Sequence, residues 1–235
     1  MKLLQITNKQ KEILLLLYRF RFLNRIQIQT LLNHKNSKNT NEWLKNLTDK
    51  NYIGRIYEKT RSKMFDPAIY YISKNGIKFL REQENIEKDY IKKFYQEKRR
   101  SKGFVSECIL IANIYLQLKK QYEDKSYDFK FYTKSNFPKQ GIVQDLKPSF
   151  AYVIKVSEKL DHYACEVLKE GIPRYVIRAR IEKYIEFFGQ DNQKAYITFY
   201  CPNEKIAKYL EKQANKMIEE EGVENIEFDI NLDVY

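Results

Sequence analysis

Proline and glycine are scarce: 5 and 7 of 235 residues, against 43% hydrophobic residues. That balance excludes a low-complexity or disordered chain and describes a folded globular one. Cysteine is scarcer still. Cys108, Cys165 and Cys201 are an odd number without a CxxC pair, which excludes a disulfide framework and a cysteine-rich zinc site. Histidine occurs only as His34 and His162, so the His-x-His site of paired-histidine initiators is missing. His162 and Cys165 fall three apart on an expected strand, where they face opposite sides and cannot pair on a metal. There is no Walker loop and no dinucleotide fingerprint. Long hydrophobic runs are absent too. The stretch Ile13 to Tyr18, preceded by Lys9, Lys11 and Glu12, is too short to span a bilayer and too charged upstream for a signal peptide. These absences point to a soluble cytoplasmic protein with no membrane partner, no metal and no cofactor.

Charge is present in excess, and unevenly. The net charge is +12. Residues 1–80 hold 16 Lys and Arg against 5 Asp and Glu, residues 81–102 hold 8 against 5, and residues 103–235 hold 19 against 21. The positive field is therefore N-terminal, where it suits phosphate, and the C-terminal part carries none of it.

The N-terminal third reads as three helices and a hairpin. In "ITNKQKEILLLLYRF" Thr7 stands as an N-cap with Gln10 three residues on, and Ile13, Leu14, Leu16, Leu17 and Phe20 recur at helical spacing. "LNRIQIQTLLNH" gives a short second helix. A third opens at Ser37 as its N-cap, with Thr40, Trp43, Leu44 and Leu47 as its apolar stripe and Lys38, Asn39, Asn41, Glu42 and Lys45 pointing away. Strands over residues 52–57 and 68–73 flank the basic turn 58–66, and Ser73 caps a following helix. This is the plan of a winged helix-turn-helix. On that plan Lys38, Asn39, Asn41 and Lys45 lie on the recognition helix, where side chains meet base edges, while Arg55, Lys59, Arg61 and Lys63 lie on the wing and meet the phosphate backbone.

Residues 81–102 form an amphipathic run with Ile86, Tyr90, Ile91, Phe94 and Tyr95 on one side, expected to be a single linker helix. Residues 103–235 change pattern. A helix, three strands, a helix, a strand, a helix and a last strand follow, an order matching the restriction-endonuclease-like core. The expected fold is thus α+β: a winged helix at 1–80, a linker at 81–102 and a restriction-endonuclease-like α/β domain at 103–235. The acidic end of the last helix, Ile218 to Gly222, reads as a solvated terminus.

The winged helix, the connecting helix, a strand carrying "KPSFAYVI", a strand ending "CEVLKEGIP" and a helix carrying "IEKY" together resemble the replication-relaxation family of plasmid and phage proteins over nearly the whole chain. The resemblance implies positions reading Pro-Asp-Ala and then Glu-x-Asp, followed by a lysine and a tyrosine on a helix, an arrangement related to nuclease sites. Pro148, Glu166, Lys183 and Tyr184 are kept. Ser149 stands where the family has an acid, and Leu168 where it has Asp and nucleases have Lys.

That departure bears on chemistry, because metal-assisted phosphodiester cleavage needs clustered carboxylates. Asp145 is the nearest substitute, yet four residues up the same expected strand it would stand roughly 13 Å from Ser149, at about 3.3 Å per residue. Asp145, Ser149, Glu166 and Lys183 therefore read as a vestigial set without catalysis. The expected function is sequence-specific binding of double-stranded DNA in a mobile element, plasmid or phage, acting in replication, transfer or transcription control. The C-terminal domain then serves assembly, as a homodimer or with a replication or transfer protein. The alternative is a metal-dependent nuclease using Asp145, Glu166, Lys169 and Lys183. A protein-binding scaffold is a third reading, which the N-terminal charge disfavours.

Overall fold

The computed structural model describes residues 4–57, 67–84, 86–125, 127–138, 142–189 and 194–232. The chain is α+β and divides by its contacts into two compact units, Met1–Leu116 and Gln117–Tyr235.

The first unit begins with α1 (Asn8–Phe20), β1 (Leu23–Asn24), α2 (Arg25–Leu31) and α3 (Ser37–Asp49). Local chemistry starts each helix. The Thr7 hydroxyl accepts from the Gln10 amide at 3.3 Å while the Thr7 amide donates to Gln10 Oε1 at 2.9 Å, the capping box expected from the sequence. Asn24 and Gln27 repeat the device at α2, with both bonds at 2.9 Å, a second box that the sequence pattern had not suggested. The third helix corrects an expectation: its N-cap is Asn36, whose side chain accepts from the Lys38 amide, and Ser37 is already helical. Ile13, Leu14 and Leu17 of α1 and Leu44 and Leu47 of α3 are fully buried and form the heart of this unit.

Two strands follow, β2 (Ile53–Ile56) and β3 (Ile69–Ile72), each shorter at both ends than expected. With β1 they make an antiparallel sheet of order β1-β3-β2. The turn between them, with Lys59, Arg61 and Lys63, lies outside the described residues. Two glycines are dictated by close approach. A Cβ on Gly54 would stand 2.2 Å from the Tyr71 ring, and one on Gly76, in α4 (Lys74–Arg81), 2.2 Å from the Tyr52 carbonyl oxygen. Asn75 completes that junction by donating its side-chain amide to the Lys50 carbonyl at 2.9 Å. Ser73 occupies the N-cap position of α4 as expected, but its hydroxyl donates to Asn51 Oδ1 at 2.6 Å and makes no cap bond.

The expected single helix over 81–102 is broken. α4 ends at Arg81, α5 (Lys88–Ile91) is one turn, and Lys92–Arg99 is a 3-10 helix. Three residues per turn eclipse positions three apart, so Phe94, Glu97 and Arg100 come into line. Phe94 and Glu97 are each 1% exposed. Glu97 accepts from the Arg21 guanidinium, which lies 5.1 Å over the Phe94 ring and 4.7 Å over Phe104. A buried carboxylate needs that partner. α6 (Lys102–Glu123) follows. Its Ile109 carbonyl and Asn113 side chain receive the Gln27 amide at 2.8 and 2.7 Å, which ties α2 to it.

The second unit holds β4 (Asp128–Tyr132), α7 (Ile142–Leu146), β5 (Phe150–Val156), β6 (Lys159–Val167), α8 (Arg174–Phe188), β7 (Ala195–Tyr200), α9 (Glu204–Glu221) and β8 (Ile226–Asn231). Its sheet runs β4-β5-β6-β7-β8, antiparallel across β4, β5 and β6 and parallel across β6, β7 and β8. Ala164, Ile197 and Phe199 pack with Ile181 and Tyr184 of α8 and Leu210 and Ala214 of α9 into one core. In register across the strands, Tyr152, Tyr163 and Tyr196 stack face to face at centroid distances of 4.4 and 4.8 Å. His162 is exposed and Cys165 fully buried, as opposite faces of one strand require. α9 ends at Gly222 in the left-handed conformation, after the exposed acids 219–221. No helix among the described residues is long and apolar enough to cross a membrane.

Candidate functional site

Two places gather the candidate residues, one in each unit. The first is the outer side of α3. Burial of Thr40, Leu44 and Leu47 turns the helix so that Lys38, Asn41 and Lys45 are exposed, with Asn39 partly so. Trp43 packs at the edge of this surface, its ring 4.8 Å from His34, and His34 Nδ1 lies 3.0 Å from the Asn36 carbonyl. Asn46 is taken out of play because it accepts from Gln10 Nε2 at 2.8 Å. Arg55 is exposed on β2, opposite Tyr70 of β3. Lys38, Lys45 and Arg55 form no ion pair among the described residues. The surrounding unit carries 24 Lys and Arg against 11 Asp and Glu, whereas the second unit carries 19 against 20. Exposed amides and ammonium groups on one helix, inside a net positive field, can hydrogen-bond base edges and neutralise phosphates.

The second place is the buried carboxylate of Glu166, 6% exposed near the end of β6. It accepts from Arg180 Nη1 at 2.7 Å and Ser149 Oγ at 3.3 Å on Oε2, and from the Tyr184 hydroxyl at 3.1 Å on Oε1. Ser149 Oγ in turn accepts from the Val167 amide at 3.1 Å, which pins the loop before β5 to β6. Burial pushes the Glu166 carboxyl above the usual carboxylate range, against the pull of Arg180, Tyr184, Lys134 and Ser149. The Tyr184 phenol is pushed well up by burial and by the adjacent Glu166. A carboxylate already engaged by three donors, with a guanidinium as its cation, has little left to offer a metal.

The other members of the expected set are elsewhere. Asp145 is not on a strand: it belongs to α7 and its side chain is exposed, because "IVQDL" folds as a helical turn before β5. Lys183 Nζ donates to the Asp145 and Leu146 carbonyls at 3.0 and 3.1 Å, so it closes the C-terminal end of α7. Leu168 is fully buried in the core beneath α8, and Lys169 is exposed. Among the described residues no group of three or more His, Cys, Asp and Glu could hold a metal ion.

Arg180 was missed from the sequence. Its signal was its place four residues before Tyr184, which puts both on one face of α8. Its role depended on Glu166 being buried across from that face, which no local pattern announces.

A family model described as replication-relaxation matches residues 14–198. No curated protein and no solved structure matches the chain.

Proposed function

Because the chain belongs to the replication-relaxation family, by its match over residues 14–198, we propose that it is a sequence-specific double-stranded DNA-binding protein of a plasmid or phage, acting in replication, transfer or transcription control. The first unit is read as a winged helix, with α3 as recognition helix and β2 and β3 as the strands of the wing. The observation that carries the reading is the exposed set Lys38, Asn41 and Lys45 on α3, whose lysines form no ion pair among the described residues, within the positively charged unit. Asn39 and Asn41 address adenine edges, Lys38 and Lys45 address guanine or phosphate, and Arg55, Lys59, Arg61 and Lys63 hold the backbone. The second unit is read as a restriction-endonuclease-like domain without catalysis, serving assembly. Support comes from the Glu166 carboxylate, which is spent on Arg180, Tyr184 and Ser149.

Competition binding tests the reading. Asn41→Ala is expected to lower the preference for a selected site over random duplex by about 1–3 kcal/mol. Arg61→Ala with Lys63→Ala should weaken all duplexes alike. Loss of preference in the wing variant alone would reverse the two roles. Nicking of supercoiled DNA in magnesium or manganese, abolished by Glu166→Ala, would overturn the non-enzymatic reading.

A further inference from the structure

The turn between α2 and α3 holds one of the chain's two histidines in a fixed place. Asn33 takes the left-handed conformation there, at φ 49°, which asparagine adopts more readily than most residues. The His34 amide then donates back to the Gln29 carbonyl of α2 at 3.1 Å. The imidazole is held on two sides. Its Nδ1 lies 3.0 Å from the carbonyl of Asn36, the N-cap of α3, and its ring makes an edge contact with Trp43 of the same helix, the ring centroids 4.8 Å apart.

A carbonyl oxygen can only accept, so Nδ1 carries a hydrogen, and Nε2 is the nitrogen that gains or loses a proton. Nε2 makes no hydrogen bond among the described residues, and His34 and Trp43 are both half-buried beside the exposed Lys38, Asn41 and Lys45 of α3. Neutral, Nε2 offers a lone pair that a phosphate oxygen repels. Protonated, it offers an N–H and a positive charge, and histidine makes that change between pH 5 and 8. The charged groups on the elements that frame the ring are Arg25 on α2, Lys35 in the turn, and Lys38, Glu42, Lys45 and Asp49 on α3, four cations against two acids. Among the described residues none of them bonds to the ring.

We infer that His34 is a proton-gated contact to a backbone phosphate of duplex DNA: protonated at Nε2 it donates to the phosphate, and neutral it does not. The inference rests on the duplex-binding reading above and deepens it. Because the ring is pinned to the N-cap and to Trp43 of α3, a phosphate held there sets the position of α3 along its groove, and it carries no base information. Binding then takes up a proton. The bound chain holds more protons than the free one, so affinity rises as pH falls through the histidine range.

The test is fluorescence anisotropy of the full chain on a rhodamine-labelled duplex of mixed sequence, over a salt series at pH 5.5 and at pH 7.5. The wild type binds about tenfold more tightly at the lower pH, and its salt slope is greater there by about 1, the mark of one more phosphate engaged. His34→Gln loses both differences. His34→Arg, whose charge is fixed, shows the steeper slope at both pH values. His162→Gln, in the second unit, behaves as the wild type does. The buried Glu97 and Glu166 carboxyls are present in every variant, so a pH dependence that belongs to them survives His34→Gln, and that survival overturns the inference. A wild-type chain that binds with equal affinity and slope at both pH values overturns the proton gate alone. One that binds the duplex at neither pH overturns the duplex-binding reading, and the gate with it. If His34→Gln does not fold, the wild-type salt slopes decide, and equal slopes refute the contact.

Discussion

The two units balance charge differently: the first carries 24 Lys and Arg against 11 Asp and Glu, the second 19 against 20. In the second, cations are matched to nearby acids: Arg178 with Glu182, Lys194 with Glu227, Lys208 with Glu204 and Lys216 with Glu220, besides the buried Arg180 with Glu166. In the first, Lys9 pairs with Glu12, Lys92 with Asp89 and Arg21 with Glu97, but Lys38, Lys45, Arg25 and Arg55 form no ion pair among the described residues, inside a unit of net +13. Surface pairs add little stability, typically below about 1 kcal/mol each, so the matching is no requirement of folding. A surface that leaves its cations unmatched keeps them available to an external anion. Equal lysine content therefore means different things in the two halves.

The comparison breaks most visibly through charge reversal. Lys38→Glu with Lys45→Glu should cost duplex affinity about 4 kcal/mol, at roughly 2 for each lysine reversed. Lys208→Glu with Lys216→Glu, the same change on α9, should alter it little. Anisotropy at fixed low salt reads both, and equal losses would show that DNA binding is not confined to the first unit.

A smaller effect separates the units by stability. Gly76→Ala sets a Cβ against the Tyr52 carbonyl oxygen, backbone against backbone, and should destabilise the first unit by about 3 kcal/mol. Gly103→Ala, at the start of α6 with open space around it, should be neutral or stabilise by about 0.5 kcal/mol. Chemical denaturation followed by circular dichroism measures both. If Gly76→Ala unfolds as the wild type does, the packing of α4 against Tyr52 is wrong.

The smallest effect is in pH dependence, and it arises once in each unit. Burial raises the carboxyls of Glu97 and Glu166 above their ordinary value of 4.5. Above that value an unfolded chain releases protons which the folded chain still holds, so stability is greatest below it and falls as pH rises through the native values. Each group contributes a slope of at most about 1.4 kcal/mol per pH unit. Glu97→Gln and Glu166→Gln should each flatten the pH dependence of urea midpoints in that window. A slope unchanged in both variants would mean that neither carboxyl is raised.

Legibility from sequence followed the range of the forces involved. Thr7 with Gln10 was readable because a capping box is written within four residues, and so were the apolar stripes of α1 and α3. The two hairpin strands were found within one residue at each end, since alternation marks their middles better than their ends. The break of residues 81–102 into α5 and a 3-10 helix was not readable: the amphipathic pattern suits one helix, and only Arg21, far away in the chain, makes Glu97 a residue that must be buried. Asp145 failed for a related reason, because five residues of "IVQDL" carry too few positions to tell a helical turn from a strand.

By itself the sequence determined the α+β class, the run of three helices into a hairpin and the concentration of positive charge before residue 103. These depend on composition and on periodicities of two and 3.6 residues, which are local. Tertiary structure alone decided what the long-range partners became. Arg180 was set on Glu166, Lys183 on the carbonyls of α7, and Arg21 on Glu97. A charged side chain takes its meaning from the groups within a few ångströms of its tip, and in a folded chain those groups come from segments that sequence order keeps apart.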